Sequence, residues 1–243
     1  MKLEDNPVPA SADDLLLVGR DHELVSFQKV LKDKQARLVV LTGEPGMGKT
    51  SLLRKFRELG DEAGWNTAQL PSSVLRDVET TPDSFSNQLQ TLLSVPTGRS
   101  FIEKPSKPLV DPTTGQPLLL PIVERLRALA PFLLLIDGYQ PGSELAEWFH
   151  TIFVNDVRRS SATIVIVLAA RPDGAIKITP FADQIIPLGP LDQNSIREHF
   201  EELGRQIDPP MKDREIQEYI EAAKEDAEML DSLTRVLRLA LPG

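Results

Sequence analysis

Between residues 43 and 50 the chain reads Gly-Glu-Pro-Gly-Met-Gly-Lys-Thr, and what flanks this octapeptide leaves little freedom of fold. Upstream, Leu38-Val39-Val40-Leu41-Thr42 is a short apolar run that breaks at Gly43 and predicts a buried parallel strand. Downstream, Leu52, Leu53 and Phe56 recur as one face of a helix running from Lys49 to near Gly60. A G-x-x-x-x-G-K-T string between a strand and a helix has a physical rationale. Glycines allow the backbone angles that turn successive amides inward, making a nest of N–H donors for a phosphate. The helix adds its free N-terminal amides and partial positive charge. Lys49 is a point charge for the β- and γ-oxygens, and the Thr50 hydroxyl is a ligand for Mg²⁺. The candidate binding residues for a purine nucleoside triphosphate are therefore Glu44, Pro45, Gly46, Met47, Gly48, Lys49, Thr50 and Ser51.

The rest of the chain alternates between the two periods. Helical spacing is read over residues 21–32, 84–93, 122–129 and 144–157, and strands over 66–70, 132–136, 163–170 and 184–188. Pro96, Pro105, Pro108, Pro112, Pro117 and Pro121 exclude regular helix or central strand from residues 95–121, which reads as a long surface excursion. After Pro190 the pattern is helical, over about 194–203 and 212–239. Alternating strands and helices argue for an α/β fold, a parallel sheet with helices on both faces, followed by a small helical lid. The expected division is a flexible tail over 1–15, a nucleotide-binding α/β domain over 16–190 and a lid subdomain over 191–243.

Composition narrows the function classes. No cysteine is present, so disulfides and thiolate metal sites are excluded, in keeping with a reducing, cytoplasmic location. A net charge of −9 without a long Lys/Arg cluster speaks against bulk binding to nucleic acid or anionic lipid. No apolar run approaches a membrane span. His22, His150 and His199 are scattered without metal or triad spacing.

Two further polar residues stand where apolar strands end. Asp137 closes the run Phe132–Ile136, where a strand's carboxyl end would direct it at the phosphates to hold magnesium; the plainer alternative is the start of an Asp-Gly turn. Arg171 closes the run Ile164–Ala170 at the same expected edge. It is a candidate for stabilising γ-phosphate charge, or else a solvated arginine before a Pro-Asp-Gly turn. Lys49, Asp137 and Arg171 are the candidate catalytic residues; Thr50 and Asp137 are the metal ligands.

Together these residues resemble the AAA+ superfamily of P-loop NTPases, and within it the signal-transduction ATPases with numerous domains (STAND). Leu17-Val18-Gly19-Arg20-Asp21-His22-Glu23-Leu24 is similar to the V-G-R-x-x-E-L segment preceding the phosphate loop. The resemblance implies that backbone at Val18 and Gly19 lies against adenine and that Arg20 helps to fix the nucleotide. Leu133–Asp137 looks like the Walker B strand, Val165–Pro172 like the strand ending in a sensor arginine, and Ile186–Leu191 like the junction into the lid. The family implies a sheet order of 5-1-4-3-2, ATP or ADP with Mg²⁺ as cofactors, and protein partners or self-association.

The departures are informative. Where many AAA+ enzymes carry a glutamate directly after the Walker B aspartate, this chain has Gly138. Loss of that base would slow hydrolysis roughly 10²–10⁴-fold. No arginine other than Arg171 lies between residues 170 and 184, so the usual trans-acting finger is absent; Arg158 and Arg159 are the candidate substitutes. The expectation is a slow nucleotide switch that couples ATP or ADP to lid closure and partner assembly in signalling or defence. The alternatives are a DNA-associated AAA+ ATPase of the origin-recognition or loader kind, and a nucleotide-bound scaffold that never hydrolyses.

Overall fold

The computed structural model describes residues 17–70, 81–94, 120–140, 143–207, 210–223 and 227–238. The expected N-terminal tail, and the proline-rich excursion as far as residue 119, lie outside them. By internal contacts the chain forms two compact units. One comprises Glu23–Glu44 and Leu53–Leu188; the other gathers Leu17–His22, Pro45–Leu52 and the described residues from Gly189 onward.

The first unit is built on five parallel strands: β1 (Leu38–Thr42), β2 (Asn66–Leu70), β3 (Phe132–Tyr139), β4 (Ile164–Ala170) and β5 (Gln184–Pro187), in the order β2-β3-β4-β1-β5. This is the order implied by resemblance, read from the other edge. β4 is buried along its whole length and β3 along nearly all of it, so neither alternates apolar with polar residues. Edge strand β5 alternates exposed with covered positions. Parallel pairing forces helical crossovers. Along the chain α1 (Asp21–Asp33) precedes β1, α2 (Lys49–Glu62) lies between β1 and β2, α3 (Pro82–Ser94) and α4 (Leu120–Ala128) between β2 and β3, α5 (Ser143–Trp148) and α6 (Val154–Arg159) between β3 and β4, and α7 (Pro172–Ile178) between β4 and β5. One face of the sheet, through Leu134, Ile136, Ile166 and Leu168, packs on Phe85, Leu89, Leu126, Phe149, Phe153 and Ile178. α1 and α2 meet through a stack of Phe27 on Phe56, with ring centroids 3.8 Å apart.

Three local differences from the sequence reading have clear causes. α4 begins at Leu120 and accommodates Pro121 in its first turn, where a missing amide costs no hydrogen bond. The single helix expected over 144–157 is interrupted by a π-helical segment, Phe149–Phe153, between α5 and α6. The Pro-Asp-Gly turn offered as the alternative reading after Arg171 is the start of a helix instead. Pro172 occupies the first position of α7 with its φ already suitable, and a 3-10 turn, Thr179–Phe181, follows.

In the second unit α8 (Gln193–Gln206), α9 (Asp213–Ala223) and α10 (Ala227–Arg238) share an apolar core of Ile196, Phe200, Leu203, Ile216, Ile220, Leu230 and Leu237. The continuous helical pattern over 212–239 is thus two helices. His199 on α8 and Thr234 on α10, both buried, are joined by a 2.9 Å hydrogen bond. Because the threonine hydroxyl donates its proton to the Leu230 carbonyl, the imidazole Nε2 must be the donor in that pair.

Candidate functional site

Parallel strands bring their carboxyl ends to one edge, so the residues that follow β1, β4 and β3 are neighbours by topology. The phosphate loop leaves β1 at Thr42, Arg171 follows β4, and Asp137 lies near the end of β3.

Within the loop the glycines serve two physical needs. Gly43 is buried where a Cβ would stand 2.9 Å from the Leu188 carbonyl oxygen, so it is required by close approach. Gly46 and Gly48 have φ of 78° and 80°, the left-handed conformation that turns successive amides to one side. Where α2 begins, the Leu52 amide donates to the Gly48 carbonyl at 2.9 Å. Lys49 is half-buried, Thr50 exposed and Ser51 buried in the first turn, and Glu44 is exposed; Pro45 and Met47 are half-buried.

Asp137 is only 9% exposed. It stands in a β-bulge: Ile136 pairs with Leu168 and Tyr139 with Ala170, leaving Asp137 and Gly138 opposite Ala169 alone. Gly138 has φ of 65°. The extra residue shifts Tyr139 onto the face occupied by Leu134 and Ile136, where it joins the core. Thus the position that carries a glutamate in the resembled enzymes is here a backbone conformation suited to glycine. The Tyr139 hydroxyl lies 2.7 Å from His150 Nε2 on the π-helical segment. Burial drives the tyrosine pKa upward and the histidine pKa downward, so both groups are held neutral.

Arg171 is exposed, with extended backbone as the N-cap residue of α7, and its carbonyl accepts from the Ala175 amide at 2.8 Å. Arg158, the suggested substitute finger, has a structural task. Its guanidinium donates to the Phe181 carbonyl and to Asp183 at 2.8 Å. The other Asp183 oxygen accepts from the Arg37 and Leu38 amides at the start of β1, so this cluster ties the amino edge of the sheet. Arg159 is mostly exposed, with a loose 3.9 Å contact to Asp156.

In the second unit Val18 is half-buried and Gly19 exposed, while Arg20 is buried, its guanidinium donating to the carbonyls of Met47 and Gly189. Arg20 therefore uses this end on main-chain oxygens, a role with no signature in the sequence. Asp192 caps α8 by accepting from the Asn194 and Ser195 amides at 2.9 and 3.0 Å and from the Ser195 hydroxyl at 2.8 Å; these bonds lower its pKa. An aspartate directly before a helix is a sequence signal for such a cap.

Thr50 and Asp137 each carry an oxygen of the kind that magnesium binds. A threonine hydroxyl and a carboxylate are hard oxygen ligands, and magnesium takes most of its remaining ligands from phosphate and water.

A family profile described as an AAA domain matches residues 32–178, spanning the phosphate loop, the β3 aspartate and the strand before Arg171. The chain belongs to the AAA domain family. This AAA domain chain is also similar to solved structures. They include the Thermotoga maritima RuvB Holliday junction branch migration motor (TM-score 0.55, 13% identity, 91% of this chain and 62% of that one). Domain III of the Thermotoga maritima replication initiation protein DnaA matches with TM-score 0.54 and 17% identity, over 93% and 87% of the two chains. AMPPCP-bound DnaA from Aquifex aeolicus gives 0.53 and 14%, over 91% and 62%. At these identities the likeness carries the fold, and the chain spans 62% of the RuvB chain. Comparison with curated protein sequences gives no match.

Proposed function

We propose that this chain binds ATP or ADP with Mg²⁺ on the loop Gly43–Thr50 and acts as a slow nucleotide switch of the STAND kind. The observation that carries the reading is the loop itself: two left-handed glycines set immediately before a helix that begins at Lys49. Lys49 would neutralise β- and γ-oxygens, and Thr50 and Asp137 would hold the metal, which screens phosphate charge. Slow turnover follows from Gly138, which leaves the attacking water without an adjacent carboxylate. Nucleotide state would then be read by the helical unit and by protein partners in signalling or defence.

Identification of the nucleotide released on denaturing the purified protein tests the binding reading. ADP is expected from the wild type and little from Lys49→Ala; equal amounts from both would refute it. Steady-state turnover tests the switch, which is abandoned if the rate exceeds about 1 s⁻¹, an ordinary enzyme rate.

A second reading, a DNA-associated ATPase, is favoured by a specific observation. The structures of similar fold include a Holliday junction branch migration motor and a replication initiation protein. The expectation from charge that nucleic acid is no partner gains no support from them. Anisotropy of a labelled duplex would decide: binding at micromolar protein that weakens steeply with salt favours this reading, and none at low salt removes it.

A further inference from the structure

We propose that Gly19 and Arg20 form a strut between the tip of the phosphate loop and the start of α8, through which a bound nucleotide orders the helical unit. The inference rests on the nucleotide reading above and concerns how occupancy of the loop is transmitted.

Arg20 is 6% exposed, and burying a guanidinium is costly unless its protons are used. The two protons of Nη2 meet two carbonyls that lie far apart in sequence, Met47 at 3.1 Å and Gly189 at 2.9 Å. Met47 stands between the two left-handed glycines of the loop. In a trans peptide unit the C=O and the following N–H point in opposite directions from one rigid plane. The Met47 carbonyl and the Gly48 amide are the two ends of such a plane. Holding the carbonyl on Arg20 therefore sets the direction of the Gly48 amide. Conversely, an anion that captures this amide fixes the carbonyl against the guanidinium.

The other end of the strut is equally constrained. Gly189 lies three residues before Asp192, the cap of α8. Gly19, with φ of 74°, lies so close to the first turn of α8 that an added Cβ would stand 2.1 Å from Ser195 Oγ and 2.6 Å from Ser195 Cβ. Ser195 is itself held by Asp192. The Arg20 amide closes the turn by donating to the Leu17 carbonyl at 3.1 Å. These residues, with Pro45–Leu52, fall in one compact unit with α8, α9 and α10. Arg20 is thus a positioning residue, acting on nucleotide through the loop and on the helices through the junction.

The test is hydrogen exchange of the α8 amides with and without saturating MgADP, occupancy being checked by calorimetry. In the wild type ADP is expected to slow α8 exchange by about tenfold, a typical coupling between sites. Arg20→Ala should still bind ADP within about tenfold of the wild type, with less than about twofold slowing of α8. A merely stabilising residue would change basal exchange and leave the ADP increment intact. Wild-type slowing in the variant, or loss of ADP binding as complete as in Lys49→Ala, overturns the strut. Should Arg20→Ala not fold, Arg20→Lys carries the same comparison, because an ammonium keeps the charge and lacks the fork that reaches both carbonyls. If the wild type itself binds no nucleotide, the underlying reading fails first, and calorimetry alone reports it.

Discussion

Gly138 shows how one backbone angle bears on chemistry. At φ of 65° a side chain crowds its own carbonyl, at a cost of about 1–2 kcal/mol for an L-residue. Gly138→Ala should therefore lower urea stability by about that amount; an unchanged midpoint would mean that the bulge straightens freely. Gly138→Glu, which restores the carboxylate, carries the same penalty and is not a simple gain of function. Gly19 is constrained twice, by its φ of 74° and by the proximity of Ser195. In a double-mutant cycle, Ser195→Gly should relieve part of the damage from Gly19→Ala and leave the conformational share of about 1–2 kcal/mol. Strict additivity of the two substitutions would argue against the collision. None of these angles could be read from glycine's identity, which permits a left-handed conformation without requiring one.

At the scale of elements, the π-helical segment and the end of β3 are joined by the Tyr139–His150 hydrogen bond. Burial depresses the imidazole pKa, so the unfolded chain binds more protons between the folded value and about 6.5, the ordinary value. Stability should then rise with pH across that window: the contribution is fully present above about pH 6.5 and lost as pH falls through the folded pKa. Comparing urea midpoints at pH 7.5 and 5.5, His150→Phe should lose this part of the slope. It should also be less stable at pH 7.5 by about 1–3 kcal/mol, because the tyrosine hydroxyl is left unpaired; the same slope in both proteins would refute the assignment. The stacked pair Phe27–Phe56 predicts a larger effect, with Phe56→Ala costing about 3–5 kcal/mol in the same assay. A loss below about 1 kcal/mol would mean that α1 and α2 re-pack without it. Sequence periodicity located these helices because core burial imposes their spacing. It missed α7, which is short and begins with residues that equally suit a turn.

For the whole molecule, ligand linkage gives a measurement independent of catalysis. MgADP at about 100 times its dissociation constant should stabilise the fold by roughly 2.7 kcal/mol. For a chain of this size that raises Tm by about 5–10 °C. Lys49→Ala should keep the unliganded Tm within a few degrees, since Lys49 lies outside the apolar core, and lose the ADP-induced rise. A variant that retains the full rise would remove Lys49 from the site. Net charge by itself does not decide partners at this scale. A net charge of −9 describes the field of the whole chain, whereas recognition depends on where individual charges sit.

What the sequence determined by itself was whatever depends on residue type and short spacing. The strand–loop–helix around Gly43–Thr50, the apolar β3 and β4, and the polar residues Asp137 and Arg171 at their ends follow from periodicity and backbone permissiveness along one stretch of chain. Tertiary structure decided what depends on distant groups meeting. It set the bulge that turns Tyr139 into the core, the engagement of Arg158 with Asp183, and the hold of Arg20 on Met47 and Gly189. A guanidinium's partners are carbonyls and carboxylates brought near by the fold, and every residue supplies the former, so no local pattern could have named them.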